Sequence, residues 1–255
     1  MFDCHIHTKY STDSKLEIED VIRRTQNMCI GATITEHMDI NFPKPNEYIF
    51  NVEDYFKEYE KFRNSKLLLG IEMGMMPSAL AKCKSLSENY PFDYIIGSVH
   101  LVEGVDLFES EFYRNKTKKE VYSQYLNSIL HSIKEYDFID CLAHIDYISR
   151  YSQFSDKELY YEDYKEKLDV ILKELAYREK ALEINTKRFH EKSAVDNMKT
   201  IYKRFYELGG KLVVLGSDAH MEEAIGNNLN LAKELADSCK LNVVYFKNRS
   251  PQYYK

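Results

Sequence analysis

The sequence predicts an α/β barrel, and three observations support this. Short apolar runs, typical of buried parallel strands, alternate along the chain with segments whose apolar residues recur at helical spacing. Seven or eight such units occur, which favours a closed barrel over an open sheet. The length of 255 residues fits one barrel of this class, so we expect a single domain over residues 1–255.

Eight apolar runs are predicted as strands. The first seven are residues 2–7, 31–36, 67–72, 94–99, 138–143, 181–185 and 212–217. They are nearly continuous in apolar residues, as expected for strands that are covered on both faces. The eighth run, residues 243–246, follows a predicted helix and fits either an eighth barrel strand or an added strand.

Six segments between these runs are predicted as helices. They are residues 17–28, 53–63, 117–135, 162–177, 194–208 and 228–238. The third helix begins with a capping box that runs from Thr117 to Glu120. Residues 101–116 are predicted as a long polar loop, which is either a lid or a plain surface loop.

Composition narrows the function classes. The net charge of -6 argues against a nucleic-acid binder, which usually carries a basic surface. The five cysteines are scattered and form no CxxC pair, which favours reduced thiols over disulfides or a thiolate zinc site. No signal peptide and no apolar run of about 20 residues is present. We therefore expect a cytoplasmic protein with no membrane partner.

Residue types that bind metals lie at the C-terminal ends of the predicted strands. Six of the eight histidines are there, with one glutamate and one aspartate. The set is His5, His7, His37, Glu72, His100, His144, Asp218 and His220. In a barrel these strand ends converge on one face, where the active site is built. We therefore predict a metal centre on that face.

Two parts of this set are pairs separated by one residue. His5 and His7 lie on the first predicted strand, and Asp218 and His220 follow the seventh. Strand side chains alternate between faces, so the members of each pair would point the same way. The HxH pair alone is a weak signal, because two partly exposed histidines on an edge strand would give the same pattern.

Three acidic residues each admit two interpretations. Asp13 can fold back over the site as a ligand or cap the following helix. Glu36 points away from His37, so it would orient a ligand or pair locally. Glu72 ends an apolar strand, where an unpaired charge is costly, so it needs a metal ion or a salt-bridge partner.

With Asp13 included, nine nitrogen and oxygen ligands are predicted. Nine ligands exceed one tetrahedral site and imply two or three divalent ions. Histidine and carboxylate ligands suit zinc, iron or manganese.

Three basic residues follow barrel strands and are candidates for binding phosphate. An arginine can bind two phosphate oxygens at once through its planar fork. The positions favour Arg188 first, Arg150 second and Lys187 third. For each of them, a solvated loop charge is the alternative.

Six short motifs together resemble a known family. They are His5-x-His7-Thr8 with Ser11 and Asp13, TEH at 35–37, GxE at 70–72, GSVH at 97–100, AHxD at 143–146 and GSDAH at 216–220. In this order they resemble the polymerase and histidinol phosphatase (PHP) superfamily over nearly the whole chain. The resemblance implies a distorted, TIM-like (β/α)7 barrel with its metal site at the C-terminal ends of the strands.

The resemblance also implies how the ligands are shared. One ion would be held by His5, His7, Glu72 and Asp218, a second by Glu72, His100 and His144, and a third by Asp13, His37 and His220. Glu72 would bridge the first two ions.

Within the superfamily the sequence is similar to histidinol-phosphate phosphatases. This implies a metal-dependent phosphomonoesterase that converts L-histidinol phosphate to L-histidinol and phosphate. Arg150 and Arg188 would bind the phosphate, and Asp218 or His220 would pass a proton to the leaving oxygen. Two alternatives stay open: a phosphoesterase or nuclease of this superfamily with another substrate, and a metal-binding barrel without catalysis.

Overall fold

A computed structural model describes residues 1–254 of the chain. Its strands are β1 (Phe2–Ile6), β2 (Gly31–Met38), β3 (Leu67–Gly74), β4 (Tyr94–Ser98), β5 (Leu101–Val102), β6 (Val105–Asp106), β7 (Cys141–Leu142), β8 (Ala181–Asn185), β9 (Leu212–Gly216), β10 (Asn242–Lys247) and β11 (Ser250–Tyr253). Its α-helices are α1 (Ile18–Asn27), α2 (Val52–Tyr59), α3 (Leu80–Asn89), α4 (Lys118–Glu135), α5 (Ile148–Tyr151), α6 (Lys165–Tyr177), α7 (Lys192–Glu207) and α8 (Leu229–Ser238).

Seven parallel strands curl into a distorted barrel, as predicted. They pair in the order β1-β2-β3-β4-β7-β8-β9. The barrel closes through a parallel bridge between Ile6 and Ala219, where the His7 N–H donates to the Ala219 carbonyl at 2.9 Å. Closure occurs only beyond the end of β9, because the first residues of β9, Leu212 and Val213, pair with β10 instead.

The last apolar run is an added strand. β10 lies parallel to β9 and forms an antiparallel hairpin with β11. Tyr245 on β10 stacks on Phe2 at 4.0 Å, and Arg249 in the turn donates to Asp140 at 2.6 Å. The hairpin therefore covers the end of the barrel where the strands begin and leaves the opposite end free.

The six predicted helices are confirmed, and Thr117 with Glu120 forms the predicted capping box of α4. Helix α3 was not predicted, because Cys83 is its only buried residue and it shows no apolar stripe. The strand predicted at 138–143 is confined to β7. The Asp140 side chain accepts the Ile95 N–H at 2.8 Å, so this N–H does not bond to a backbone carbonyl of the segment before β7.

Two layers of apolar side chains fix the strands. One layer packs between the sheet and the helices. The other fills the barrel interior with residues of the strands, including Leu68, Tyr94, Ile96 and Val214. Because strand side chains alternate, the next inward positions on the same strands reach the C-terminal face. No helix within residues 1–254 is long and apolar enough to cross a membrane.

Candidate metal centre

Glu72 lies at the centre of the site. It points inward from β3, and its residue surface is 0% exposed. Its two carboxylate oxygens lie within 2.8–3.5 Å of a ring nitrogen of each of five histidines: His5, His7, His37, His100 and His144. The Glu72 carboxylate therefore contacts histidines from several strands and does not form a single salt bridge.

Asp218 completes one side of this cluster. Its Oδ1 atom lies 4.0 Å from His5 Nε2 and 3.6 Å from His7 Nε2. The strand argument for pairing Asp218 with His220 is wrong, because β9 ends at Gly216 and Asp218 has a left-handed backbone with φ of 55°. A turn in an uncommon conformation, and not strand alternation, brings both residues to the site.

Asp13 lies on the outer side of the cluster. Its Oδ2 atom is 3.2 Å from His220 Nε2 and 3.7 Å from His37 Nε2. The alternative role as a helix cap is wrong, because α1 begins at Ile18 and its N-cap residue is Glu17. All nine predicted ligands are thus brought to one end of the barrel.

The residues of this cluster fit metal ions. Among the buried side-chain atoms of residues 1–254, His5 Nε2 and His7 Nε2 have no hydrogen-bond partner, and Glu72 Oε2 lies 3.3 and 3.5 Å from them. Leaving such atoms unpaired is costly, and a bound ion would pair them. Sets of three ligand atoms lie within 4.8 Å of one another, including His5/His7/Glu72, Glu72/His100/His144 and His7/His37/His220. Nitrogen and oxygen donors in such groups suit divalent ions.

Two further carboxylates orient the histidines, and sequence reasoning did not assign them. Glu183 on β8 lies 2.7 Å from His5 Nδ1 and accepts the His144 N–H at 2.7 Å. A Cβ atom at Gly216 would lie 2.2 Å from Glu183 Oε1, so only glycine leaves room for this contact. The inward position of Glu183 on an apolar strand is the signal that could have identified it.

Asp39 supports His100 in the same way. Its Oδ1 atom lies 2.9 Å from His100 Nδ1, and a Cβ atom at Gly74 would lie 2.1 Å from that oxygen. His37 lies on β2, and Asp39 comes two residues later, directly after the strand ends. This spacing places both side chains on one side of the sheet. That spacing was available in the sequence.

Glu36 orients the loop that carries His7. It accepts a hydrogen bond from Ser11 Oγ at 2.6 Å, and Ser11 Oγ lies 3.0 Å from His7 Nδ1. This contact agrees with the interpretation of Glu36 as a residue that orients a ligand.

Two carboxylates of the cluster are ionised although they are buried. Burial opposes ionisation of Glu72, but the neighbouring His5, His37 and His100 hold its pKa well below the ordinary value. Burial likewise opposes ionisation of Asp218, but Arg150 and His5 hold its pKa well below the ordinary value. Both carboxylates are therefore anions at neutral pH and available to cations.

The histidines divide into two groups by pKa. Burial lowers the pKa of His37, but Glu72 and Asp13 outweigh it and raise the pKa to about 10. Burial together with the neighbouring His37 and His220 lowers the pKa of His7 well below its ordinary value. The site thus contains both proton-holding and neutral imidazoles when no ion is bound.

Of the basic candidates, two lie in the wall of the pocket above the cluster. Arg150 Nη1 donates to Asp218 Oδ2 at 2.5 Å, and its Nη2 donates to Asn185 at 2.8 Å. Lys187 Nζ lies 2.6 Å from the Asp218 carbonyl oxygen and 3.4 Å from His220 Nδ1.

The structure does not favour Arg188, which was predicted as the first candidate for binding phosphate. Its guanidinium is bound by Asp146 at 3.0 Å, Glu158 at 2.5 Å and Glu191 at 3.3 Å. Three carboxylates already contact its two terminal nitrogens, and it does not line the pocket. The side chain of Arg188 joins loops beneath the rim, so Arg150 takes first place among the arginines.

The cavity above the cluster has a volume of about 370 Å³. Five aromatic residues form one wall of the cavity: Phe42, Tyr48, Phe108, Tyr147 and Tyr151. Two of them pack on the cluster, because the ring of Tyr147 lies 4.8 Å from the rings of His100 and His144, and that of Tyr48 lies 5.4 Å from the ring of His37. Asp106 also lines it, and burial raises the pKa of this carboxyl group. The predicted loop at 101–116 contains the β5–β6 hairpin and supplies Asp106 and Phe108 to the rim.

Residues 3–187 match the PHP domain family. The chain belongs to the PHP domain family. Its PHP relatives include a probable histidinol-phosphatase of Clostridium acetobutylicum, 44% identical over 99% of both chains. A histidinol-phosphatase of Lactococcus lactis is 30% identical over 91% of this chain and 89% of its own.

A solved structure extends the PHP assignment to three dimensions. The crystal structure of a histidinol phosphate phosphatase from Lactococcus lactis, complexed with zinc, L-histidinol and phosphate, superposes with a TM-score of 0.92. It is 28% identical, and the match covers 98% of each chain. The distorted barrel predicted from the PHP resemblance is therefore confirmed.

Proposed function

We propose that this PHP protein is a metal-dependent phosphomonoesterase that hydrolyses L-histidinol phosphate to L-histidinol and phosphate. One observation carries the proposal: the nine histidine and carboxylate side chains predicted as ligands converge below a pocket that is also lined by basic and aromatic residues. The relatives that match over the full chain supply the name of the substrate.

The nine predicted ligands would hold two or three divalent ions, with zinc, iron and manganese all compatible. Such ions, when bound, bind phosphate oxygens and lower the pKa of a water molecule. Glu72 would be shared between two ions, because its two oxygens face different histidines.

Arg150 would bind the phosphate and stabilise the negative charge that develops on it during the reaction. Its contacts with Asp218 and Asn185 hold the guanidinium in place before substrate arrives, which favours electrostatic stabilisation of the transition state. Burial opposes the charge on Arg150, but Asp218 raises its pKa, so it stays a cation. Lys187 would add a second positive charge from the same side.

Proton transfer would involve Asp218 and His220. Because Asp218 is held as an anion, it carries no proton to donate at neutral pH. His220, at the pocket surface, is then the better candidate to protonate the oxygen of the departing alcohol, because one ring nitrogen could bind an ion while the other carries the proton. The balance is one water consumed, one P–O ester bond broken, and one alcohol and one phosphate released.

The aromatic wall fits the organic half of the substrate. An imidazole ring can pack on Tyr147 or Tyr151, and Asp106 offers a carboxylate to a protonated amine. A cation beside Asp106 would offset the burial that raises the pKa of this group.

A panel of phosphate esters tests the proposal. Protein reconstituted with zinc, manganese or iron should release phosphate from L-histidinol phosphate faster than from p-nitrophenyl phosphate, phosphoserine or AMP. A single-stranded oligonucleotide tests the nuclease alternative. If the loaded protein hydrolyses other esters but not L-histidinol phosphate, the substrate is wrong. If it hydrolyses none of them, the non-catalytic alternative gains.

A further inference from the structure

Ser11 lies at a hydrogen-bond junction that decides how His7 presents its ring. The Ser11 hydroxyl contacts Glu36 Oε2 at 2.6 Å, His7 Nδ1 at 3.0 Å and the backbone N–H of His37 at 3.0 Å. A hydroxyl has one proton to donate and two lone pairs that accept. These three partners use its full capacity, so the direction of every bond can be worked out.

The backbone N–H of His37 can only donate, so it takes one lone pair of Ser11. Glu36 is surrounded by donors. The backbone N–H of Thr8 lies 3.1 and 3.0 Å from its two oxygens, and the Thr8 hydroxyl, itself 2.8 Å from the Tyr59 hydroxyl, also donates to it. Glu36 thus accepts, and Ser11 gives its single proton to Glu36.

One lone pair of Ser11 is then left for His7. We infer that Ser11, directed by Glu36, is a positioning residue that holds His7 in the tautomer protonated at Nδ1. The lone pair of His7 Nε2 then faces Glu72 and Asp218, whose oxygens lie 3.5 and 3.6 Å away. A metal ion requires this lone pair to be free. The inference rests on the metal centre of the proposed function but not on its substrate.

The tautomer of His7 can be measured directly. Long-range ¹H–¹⁵N correlation spectra of the zinc-free protein show which ring nitrogen carries the proton, and a His7→Gln variant identifies the His7 signals. We expect the proton on Nδ1. A His7 ring protonated on Nε2 alone in the wild-type protein would overturn the inference.

Matched serine variants separate positioning from packing. Ser14 is a second buried serine of the same loop, and its hydroxyl contacts the carbonyl oxygens of His7 and His220, both at 3.1 Å, but no ring nitrogen. Ser11→Ala should shift His7 toward the Nε2–H tautomer and weaken zinc binding by about 10- to 100-fold, measured against a chromophoric chelator. Ser14→Ala should leave the tautomer unchanged.

Two more variants test the direction of the bonds. Ser11→Thr keeps a hydroxyl and should retain the Nδ1–H tautomer. Glu36→Gln can donate to Ser11 and reverse its hydroxyl, so it should shift His7 in the same direction as Ser11→Ala. If Ser11→Ala and Ser14→Ala have the same His7 tautomer and the same zinc affinity, Ser11 contributes only to packing and does not position His7. These readouts use no substrate, so their failure is distinct from failure to hydrolyse L-histidinol phosphate.

Discussion

At the residue scale, Glu72 connects most of the site. Its carboxylate faces five histidines, and three of them, His5, His37 and His100, hold its pKa low. Glu72→Gln keeps the shape but removes the charge that two ions would share. We expect bound metal to fall by at least one ion per chain and kcat/KM to fall by roughly 100-fold or more. Elemental analysis and phosphate release on the same sample measure this, and near-normal values for both would contradict the bridging role.

The two arginines should behave differently when truncated. Arg150→Ala removes a pocket cation, so we expect kcat/KM for the ester to fall by about 100-fold with little change in bound metal. Arg188→Ala removes the partner of three carboxylates, so we expect it to lower the free energy of unfolding by about 3 kcal/mol. Steady-state kinetics and urea unfolding of both variants test this contrast, and a purely kinetic effect of Arg188→Ala would return Arg188 to the phosphate site.

Asp106 should determine preference for a cationic substrate. Asp106→Asn removes a charge from the pocket wall without changing its shape. We expect kcat/KM for L-histidinol phosphate to fall by about 10-fold, while that for p-nitrophenyl phosphate, which has no amine, stays unchanged. Glu109→Gln, at an exposed position of the same loop, is the control. An equal loss of kcat/KM on both substrates would show that Asp106 does not recognise the protonated amine.

At the element scale, the packing of α6 on α7 includes a two-pronged ion pair. Arg204 donates to Asp169 at 2.9 and 2.7 Å, and these bonds lower the pKa of Asp169 from 3.8 to about 2. A lowered carboxylate pKa stabilises the fold above pH 3.8, and this contribution is lost as the pH falls toward 2.

Asp169→Asn should therefore lower the free energy of unfolding by about 1 kcal/mol at pH 7. The difference from the wild type should shrink when urea unfolding is repeated near pH 3. Asp237→Asn removes the partner of Lys233 from an exposed pair on α8 and should have a smaller effect. A difference for Asp169→Asn that does not change with pH would assign its effect to packing instead of charge.

At the scale of the whole molecule, closure of the barrel assembles a cluster that holds protons until ions replace them. The pKa of His37 is raised to about 10, and that of His5 and His100 is raised well above 6.5. A raised histidine pKa stabilises the metal-free fold below pH 6.5, and this contribution is lost as the pH rises through about 10.

Metal loading at pH 7 should therefore release protons. Zinc titration in weakly buffered solution with a pH indicator should show release of at least one proton per chain, and the apparent zinc affinity should increase with pH. His190, which is exposed and outside the cluster, provides a control variant, His190→Gln, that should release as many protons as the wild type. Zinc binding without proton release would mean that these histidines are neutral in the metal-free protein.

Several features were readable in the sequence because they depend on local order. Apolar runs and helical spacing determined the alternation of strands and helices. The positions of His37, Glu72, His100 and His144 at the ends of buried strands predicted one metal face, because parallel strands point their carboxyl ends the same way. The resemblance carried by six motifs added the expectation that two ions share Glu72, and it indicated the class of substrate.

Only the tertiary structure decided the rest, because it depends on contacts between segments far apart in the chain. Glu183 meets His5 across 178 residues, and Arg150 meets Asp218 across 68. Arg188 follows a barrel strand, as a phosphate-binding residue would, but its guanidinium is bound by Asp146 and Glu158 from distant segments and by Glu191 of its own loop. Sequence order determines which strand end a side chain occupies. Folding determines which other side chains form ion pairs and hydrogen bonds with it.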